Sequence, residues 1–197
     1  MTEMSIQIAV FLNGLAFAGI LFLIASGLTL ILGLARVVNF AHGSLCILGG
    51  YLFVNIANVS GNWWIALLFA PICIGIIGGL IEFCLLRPIY KKEEMLQLIL
   101  TFGLVLIIED VIKLIWGSVP YNTNIIPEML AGSVVVFGIP FAKTSLGTII
   151  TAVLVGVFLG LILTRTRLGK QINSASSDME MTEALGINVR SEERRVG

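Results

Sequence analysis

The stretch that decides the fold is IAVFLNGLAFAGILFLIASGLTLILGL, residues 8–34. It contains no charged residue, and it is longer than the roughly 20 apolar residues that a helix needs to cross the hydrocarbon core of a bilayer. The run therefore predicts a membrane-spanning helix. The residues ahead of it, MTEMSIQ, lack the basic region and the small-residue cleavage site of a secretory signal, so we expect this first span to be retained.

The composition agrees with a membrane protein. Of 197 residues, 57% are hydrophobic and 12% are charged, whereas a soluble domain has about 45–50% apolar and about 25% charged residues. Lys plus Arg and Asp plus Glu both number 12, and this zero net charge argues against a nucleic-acid partner. The three cysteines lie in apolar runs without metal-ligand spacing, which favours a role as small hydrophobic side chains.

Four more apolar runs follow, at residues 44–59, 63–86, 96–116 and 145–163. Basic residues are enriched in cytoplasmic loops, so their distribution tests a model in which every run crosses once. Only Lys113 and Lys143 fall towards the opposite side from the main basic group, which comprises Arg36, Arg87, Lys91, Lys92, Arg165, Arg167 and Lys170. The fold class predicted is an all-α, polytopic transmembrane helix bundle of about five spans with its N-terminus outside. A break within the membrane at NFAHG would instead place the N-terminus inside.

The segment between the fourth and fifth runs, residues 117–143, contains three prolines, at positions 120, 127 and 140. Proline interrupts helices, and the apolar portion, residues 134–141, is too short to cross a bilayer. We therefore expect an ordered loop with an interfacial or re-entrant piece.

Four polar residues lie close to or within the apolar runs and are candidates for a translocation path. Asn39 and His42 belong to VVNFAHG, between the first two runs, and Gln97 and Thr101 share one face at the start of the fourth. Irregular backbone at membrane depth persists only where it is buried in protein or lines a cavity. The alternative for Asn39 and His42 is an ordinary capped turn, and Gln97 and Thr101 have the same ambiguity.

The charged residues within the runs do not form an enzyme site. Glu109 and Lys113 have the spacing of an interfacial ion pair, with a proton relay as the alternative, and Glu82 is expected near the cytoplasmic surface. The motifs G-x-S-x-G, H-E-x-x-H and G-x-G-x-x-G are absent, and Gly169-Lys170 lacks the rest of a phosphate-binding loop. We therefore expect no catalytic residues, no metal, no cofactor and no ATPase site in this chain.

The polar segment at residues 164–189 contains a short predicted helix. Ser177 to Glu180 has the form of a capping box, and Gly186 suits the residue that ends the last turn. A helix of two turns is unstable alone in water, so its apolar residues, such as Met181 and Leu185, are expected to dock on a soluble partner. Packing on the chain's own bundle is the alternative.

Three stretches carry a resemblance to a known family. RTRLGKQINSASSDMEMTEALGINV, at residues 165–189, resembles the cytoplasmic coupling segment of the permease subunits of branched-chain amino-acid ABC transporters. LNGLAFAGILFLIASGLTLILGLARVVNFAHGSLCILGGYL resembles that family's N-terminal region, and LLRPIYKKEEMLQLILTFGLVLIIEDVIKLIWG its middle. The resemblance extends over residues 8–189.

The resemblance implies a multi-pass permease of the bacterial inner membrane that translocates branched-chain or related amino acids. Its implied partners are cytoplasmic ABC ATPase subunits, a second related permease and a periplasmic or other extracytoplasmic binding protein. Contact with the ATPase is implied for the 178–186 helix, through Asp178, Glu180, Met181, Glu183, Ala184, Leu185 and Gly186.

The end of the chain departs from the family pattern. Family members continue into further spans after the coupling segment, so residues 1–189 are expected to be part of a permease domain and residues 190–197 a non-native or truncated tail. The competing functions are a secondary transporter or channel, and a membrane scaffold fragment that does not transport.

Overall fold

The computed structural model describes residues 3–35, 39–90, 92–118, 125–166 and 169. Within these ranges the chain is mainly helical, with one small β-hairpin. The elements are α1 (Glu3–Ala35), α2 (Ala41–Ser60), α3 (Trp63–Ile81), α4 (Glu94–Trp116), β1 (Ser133–Val136), β2 (Ile139–Ala142) and α5 (Lys143–Arg165). The predicted all-α transmembrane bundle is confirmed, and each of the five apolar runs forms a helix.

Four of these helical segments are long and apolar enough to cross a membrane, by length and composition: Glu3–Leu32, Ala41–Ser60, Trp63–Ile89 and Lys143–Arg165. The fifth helix, α4, has 23 residues and is not among these four segments. It contributes five buried residues, more than any other described helix. Three of these residues, Leu104, Ile108 and Ile112, belong to a core shared with Ala41 and Leu48 of α2.

A tight turn joins α2 to α3. Gly61 ends α2 with φ +63°, in the left-handed region that favours glycine. The next residue, Asn62, caps α3, because its Oδ1 accepts hydrogen bonds from the backbone N–H groups of Trp64 at 2.9 Å and Ile65 at 3.4 Å. A connection this short forces α2 and α3 to run antiparallel as neighbours.

The helices form two packing groups. In the first, α2 packs against α3 and α4 around a core of Ala41, Leu48, Leu104, Ile108 and Ile112. In the second, α1 packs against α5, where small residues let the backbones approach closely. A Cβ built on Gly19 would lie 3.3 Å from the Cβ of Ala152, and one on Gly156 would lie 3.2 Å from the ring of Phe22. The direct contact of α1 with α2 is small by comparison.

The apolar piece at residues 134–141 forms a β-hairpin within the segment that was expected to be an ordered loop. The interfacial or re-entrant position of this piece stays a prediction. Its two turn residues, Phe137 and Gly138, have φ of 51° and 79°, as in the type I′ turn that matches the twist of paired strands. Along β2 the burial alternates, with Ile139 and Phe141 buried, and this strand contacts α1 and α5. The tip lies beside the first turns of α1, because Phe137 lines a cavity with Gln7 and Phe11.

The left-handed backbone of Phe137 gives a test of the hairpin. For a residue with a Cβ this conformation costs about 1–2 kcal/mol, and asparagine tolerates it better than other non-glycine residues. Phe137→Asn and Phe137→Ala both remove the ring, which is 81% exposed, but only asparagine fits the turn. We expect the asparagine variant to be more stable by about 1 kcal/mol, measured as a higher apparent Tm in detergent. Equal Tm values for the two variants would contradict the type I′ turn.

Candidate functional site

Asn39 lies at the start of α2 and is 7% exposed. Its Oδ1 accepts a hydrogen bond from the backbone N–H of Ala41 at 3.0 Å, and its backbone oxygen accepts one from the N–H of His42 at 3.2 Å. Both bonds satisfy N–H groups that the first turn of a helix leaves without partners. The amide oxygen of Asn39 therefore helps to start α2, which corresponds to the capped-turn interpretation.

His42 joins the two packing groups. Its Nε2 lies 3.2 Å from the carbonyl oxygen of Ile24 in α1, a distance at which a protonated Nε2 donates a hydrogen bond. The imidazole also lies against Gly27, where a built Cβ would be 3.1 Å from Cε1. On its own helix, the Sγ of Cys46 is 3.8 Å from Nε2. Glycine at position 27 thus leaves the space that the imidazole occupies between α1 and α2.

Substitution at Gly27 tests this contact. Gly27→Val should displace the imidazole and break its hydrogen bond to Ile24, because the added atoms would overlap the ring. Overpacking of this kind costs about 1–3 kcal/mol, so the apparent Tm in detergent should fall. Gly14→Val, in the same helix, is the control, since a Cβ there meets no atom within 4 Å. A similar Tm for both variants would argue against a close contact at His42.

Gln97 holds the turn between α3 and α4. Its Nε2 lies within hydrogen-bonding distance of three backbone carbonyl oxygens, those of Ile89 at 3.3 Å, Tyr90 at 3.4 Å and Lys92 at 3.1 Å. One turn further along, the fully buried Thr101 donates from Oγ1 to the carbonyl of Gln97 at 2.9 Å. Both side chains therefore satisfy backbone groups, and a role for either in a translocation path stays a prediction.

The backbone that precedes Gln97 is irregular. After α3 the chain continues through a π-helical turn, Glu82–Leu86, and a 3₁₀ turn, Arg87–Ile89; π-helical turns occur frequently at functional sites. Tyr90 Oη donates a hydrogen bond to Glu82 Oε1 at 3.0 Å. Burial, followed by this bond to the Glu82 carboxylate, raises the pKa of Tyr90 to about 12. The Tyr90 phenol therefore keeps its proton near neutral pH and holds the two ends of the turn together.

Gln97→Leu should loosen this turn, because leucine has a similar size but no N–H to donate to the three carbonyls. A typical hydrogen bond of this kind contributes about 0.5–1.5 kcal/mol to stability. Hydrogen exchange over residues 86–95 should become faster, while exchange in α5 stays unchanged. Gln7→Leu, at an exposed position of α1, is the matched control. Unchanged exchange in the Gln97 variant, together with loss of transport, would favour a path role instead.

The ion pair in α4 differs from the one expected. Lys113 Nζ lies 3.6 Å from Asp110 Oδ1, three residues earlier, and both side chains are exposed. The expected partner was Glu109, four residues earlier, so the pairing prediction was wrong in its acidic partner. Three-residue and four-residue spacings both bring side chains together on a helix. An exposed pair of this kind contributes about 0–1 kcal/mol to stability.

The candidate path residues thus lie in two separate parts of the fold. Asn39 and His42 lie at the α1–α2 connection, and Gln97 and Thr101 lie on the buried face of α4. The sequence did not identify Gly27 and Ile24 as contacts of His42, because the residue pattern of α1 does not indicate which side chain of another helix lies against it. The predicted coupling helix, residues 178–186 within the segment 164–189, and the tail 190–197 lie outside the described residues, apart from positions 164–166 and 169.

The long apolar helices and the turns held by polar side chains define a multi-pass helical membrane protein. In the part of the chain that the structure describes, no group of His, Cys, Asp and Glu side chains could hold a metal ion. The sequence profile of the family described as branched-chain amino acid transport system / permease component matches residues 10–191. The chain belongs to this family, which is a family of transport permease components.

Individual relatives agree with this assignment. The high-affinity branched-chain amino acid transport system permease protein BraD of Pseudomonas aeruginosa is 27% identical over 195 residues, covering 89% of this chain and 61% of the relative. LivH of Escherichia coli is 27% identical over 193 residues, covering 89% and 61%. The probable permease protein LivH of Methanocaldococcus jannaschii is 24% identical over 190 residues, covering 90% and 57%. The chain thus spans about three fifths of the length of these relatives. No solved structure matches significantly.

Proposed function

We propose that this chain acts as the membrane-spanning permease subunit of an ATP-driven ABC importer for branched-chain or related amino acids. The observation that carries the proposal is the family match over residues 10–191, which includes the polar segment 164–189. BraD and LivH are named as permease proteins of branched-chain amino acid transport systems. We place the subunit in the bacterial inner membrane, with the N-terminus and the hairpin outside.

The proposed importer contains three further kinds of subunit. Separate cytoplasmic ATPase subunits hydrolyse ATP, a second related permease completes the translocation path, and an extracytoplasmic binding protein delivers the substrate. Residues 1–189 form part of the permease domain, and the 178–186 helix contacts an ATPase. Because a two-turn helix is unstable alone, its apolar residues Met181, Ala184 and Leu185 insert into a groove of the ATPase.

The position of α5 supports a mechanical role for this segment. Helix α5 (Lys143–Arg165) ends at the exposed Arg165, immediately before most of the coupling segment. It packs along α1, so a displacement of the coupling helix would move α5 and α1 together. That group meets α2 at His42. Movement of one packed group of helices against another is a common way to switch the access of a transport site.

Co-purification tests the coupling assignment. Leu185→Asp places a charge on the apolar face of the predicted helix, and an uncompensated charge in an apolar interface is strongly unfavourable. We expect this substitution, and also deletion of residues 178–186, to abolish co-purification of the ATPase from membranes that contain the complete transporter.

The control for this experiment is Ser174→Asp, which adds the same charge ahead of the predicted helix. It should leave the ATPase bound. Retention of the ATPase after deletion of residues 178–186 would overturn the coupling role. Failure of the unaltered chain to co-purify with any ATPase would overturn the importer assignment itself.

A further inference from the structure

An apolar groove of about 450 Å³ lies between α2 and α3. Its five α2 residues recur at helical spacing along one face, and α3 forms the opposite wall. Gly49 widens it, since a Cβ there would rest against Ile74 at 3.6 Å. Gly75 borders open space, since a Cβ there would meet no atom within 4 Å. Its lining includes His42, Cys46, Gly49, Leu67, Pro71 and Gly75.

Polar side chains occur at one end of this apolar lining. His42 and Cys46 lie near the start of α2, which is the end of the groove farthest from the α2–α3 turn. On the opposite wall, Pro71 lies inside α3 and has no N–H to donate to the carbonyl of Leu67, which also lines the groove. A hydrophobic cavity with a few positioned polar groups is the usual form of a small-molecule site.

We propose that this groove binds the hydrocarbon side chain of a branched-chain amino acid during translocation, with the polar end of the substrate towards His42. This inference rests on the function proposed above. The volume lies within the range of about 300–1,000 Å³ that is usual for small-ligand pockets. Ionisable residues within membrane-spanning segments commonly mark substrate pathways, and His42 lines this groove while its imidazole contacts α1.

The native cysteines provide a direct test. The chain contains Cys46, Cys73 and Cys84. A double variant, Cys73→Ser with Cys84→Ser, keeps Cys46 in the groove as its single cysteine. The assembled transporter, in membrane vesicles, would be treated with a membrane-impermeant methanethiosulfonate reagent. We expect Cys46 to react, and leucine at ten times its half-saturating concentration to slow the reaction about tenfold, as simple occupancy of one site requires.

The matched control keeps Cys84, in the π-helical turn after α3, by combining Cys46→Ser with Cys73→Ser. Its modification rate should not respond to leucine. If Cys46 is unreactive both with and without ATP bound to the ATPase subunits, the groove is filled by lipid or by another helix and the inference is wrong. If Cys46 reacts at the same rate with and without leucine in a complex that transports leucine, the inference is also wrong.

Filling the groove gives a second, independent test. Gly75→Leu adds an apolar side chain to the groove lining, at a position where a Cβ meets no atom within 4 Å. Gly79→Leu, one turn along α3 and outside the groove lining, has the same open space at its Cβ. With the binding protein saturated by each amino acid, Gly75→Leu should reduce leucine uptake about tenfold more than alanine uptake, because a blocked hydrophobic subsite discriminates by side-chain size. Gly79→Leu should reduce both uptakes equally or leave them unchanged.

The two hypotheses fail in different ways. Absence of ATP-dependent uptake by the unaltered complex would overturn the proposed importer function. Normal leucine uptake by Gly75→Leu in an active complex would overturn only the assignment of the groove.

Discussion

In hydrocarbon, a backbone N–H or C=O group without a hydrogen-bond partner costs several kcal/mol, because no water is present to replace the bond. Helix ends leave such groups without a partner in the helix itself, and polar side chains of this chain provide several of the missing bonds. Asn39 and Asn62 bind the N–H groups at the starts of α2 and α3, and Gln97 binds carbonyls of the α3–α4 turn. Among the described residues, no buried side-chain nitrogen or oxygen lacks a hydrogen-bond partner.

His42 differs from the other polar residues in where its hydrogen-bond partner lies. Asn39, Gln97 and Thr101 bond within their own helix or an adjoining turn, so they stabilise local structure. His42 instead reaches a carbonyl of another helix, and it does so where the contact between α1 and α2 is small. Because Ile24 lies within a continuous helix, this bond can break without leaving a helix end exposed. It is therefore suited to a contact that changes during movement.

The sequence predicts the helices well because charge-free runs and their charged ends are local features. The first run, residues 8–34, lies within α1 (Glu3–Ala35), and residues 145–163 lie within α5 (Lys143–Arg165). The hairpin was missed because Phe137-Gly138 is an unusual type I′ turn and because the strand burial depends on α1 and α5. The contacts of His42 and Gln97 depend on which helix or turn lies opposite, which periodicity within one helix does not specify. The choice of Asp110 over Glu109 depends on side-chain rotamers.

His42 also connects the two parts of the proposed mechanism. One side of its imidazole contacts α1 at Gly27 and Ile24, and the residue also lines the groove between α2 and α3. In the proposed importer, the coupling segment displaces α5 and α1 together, and this displacement changes the separation of Ile24 from His42. A change in that separation alters the polar end of the groove without any rearrangement within α2 or α3. In this proposal, the substrate site and the ATPase contact communicate through the hydrogen bond between His42 and Ile24.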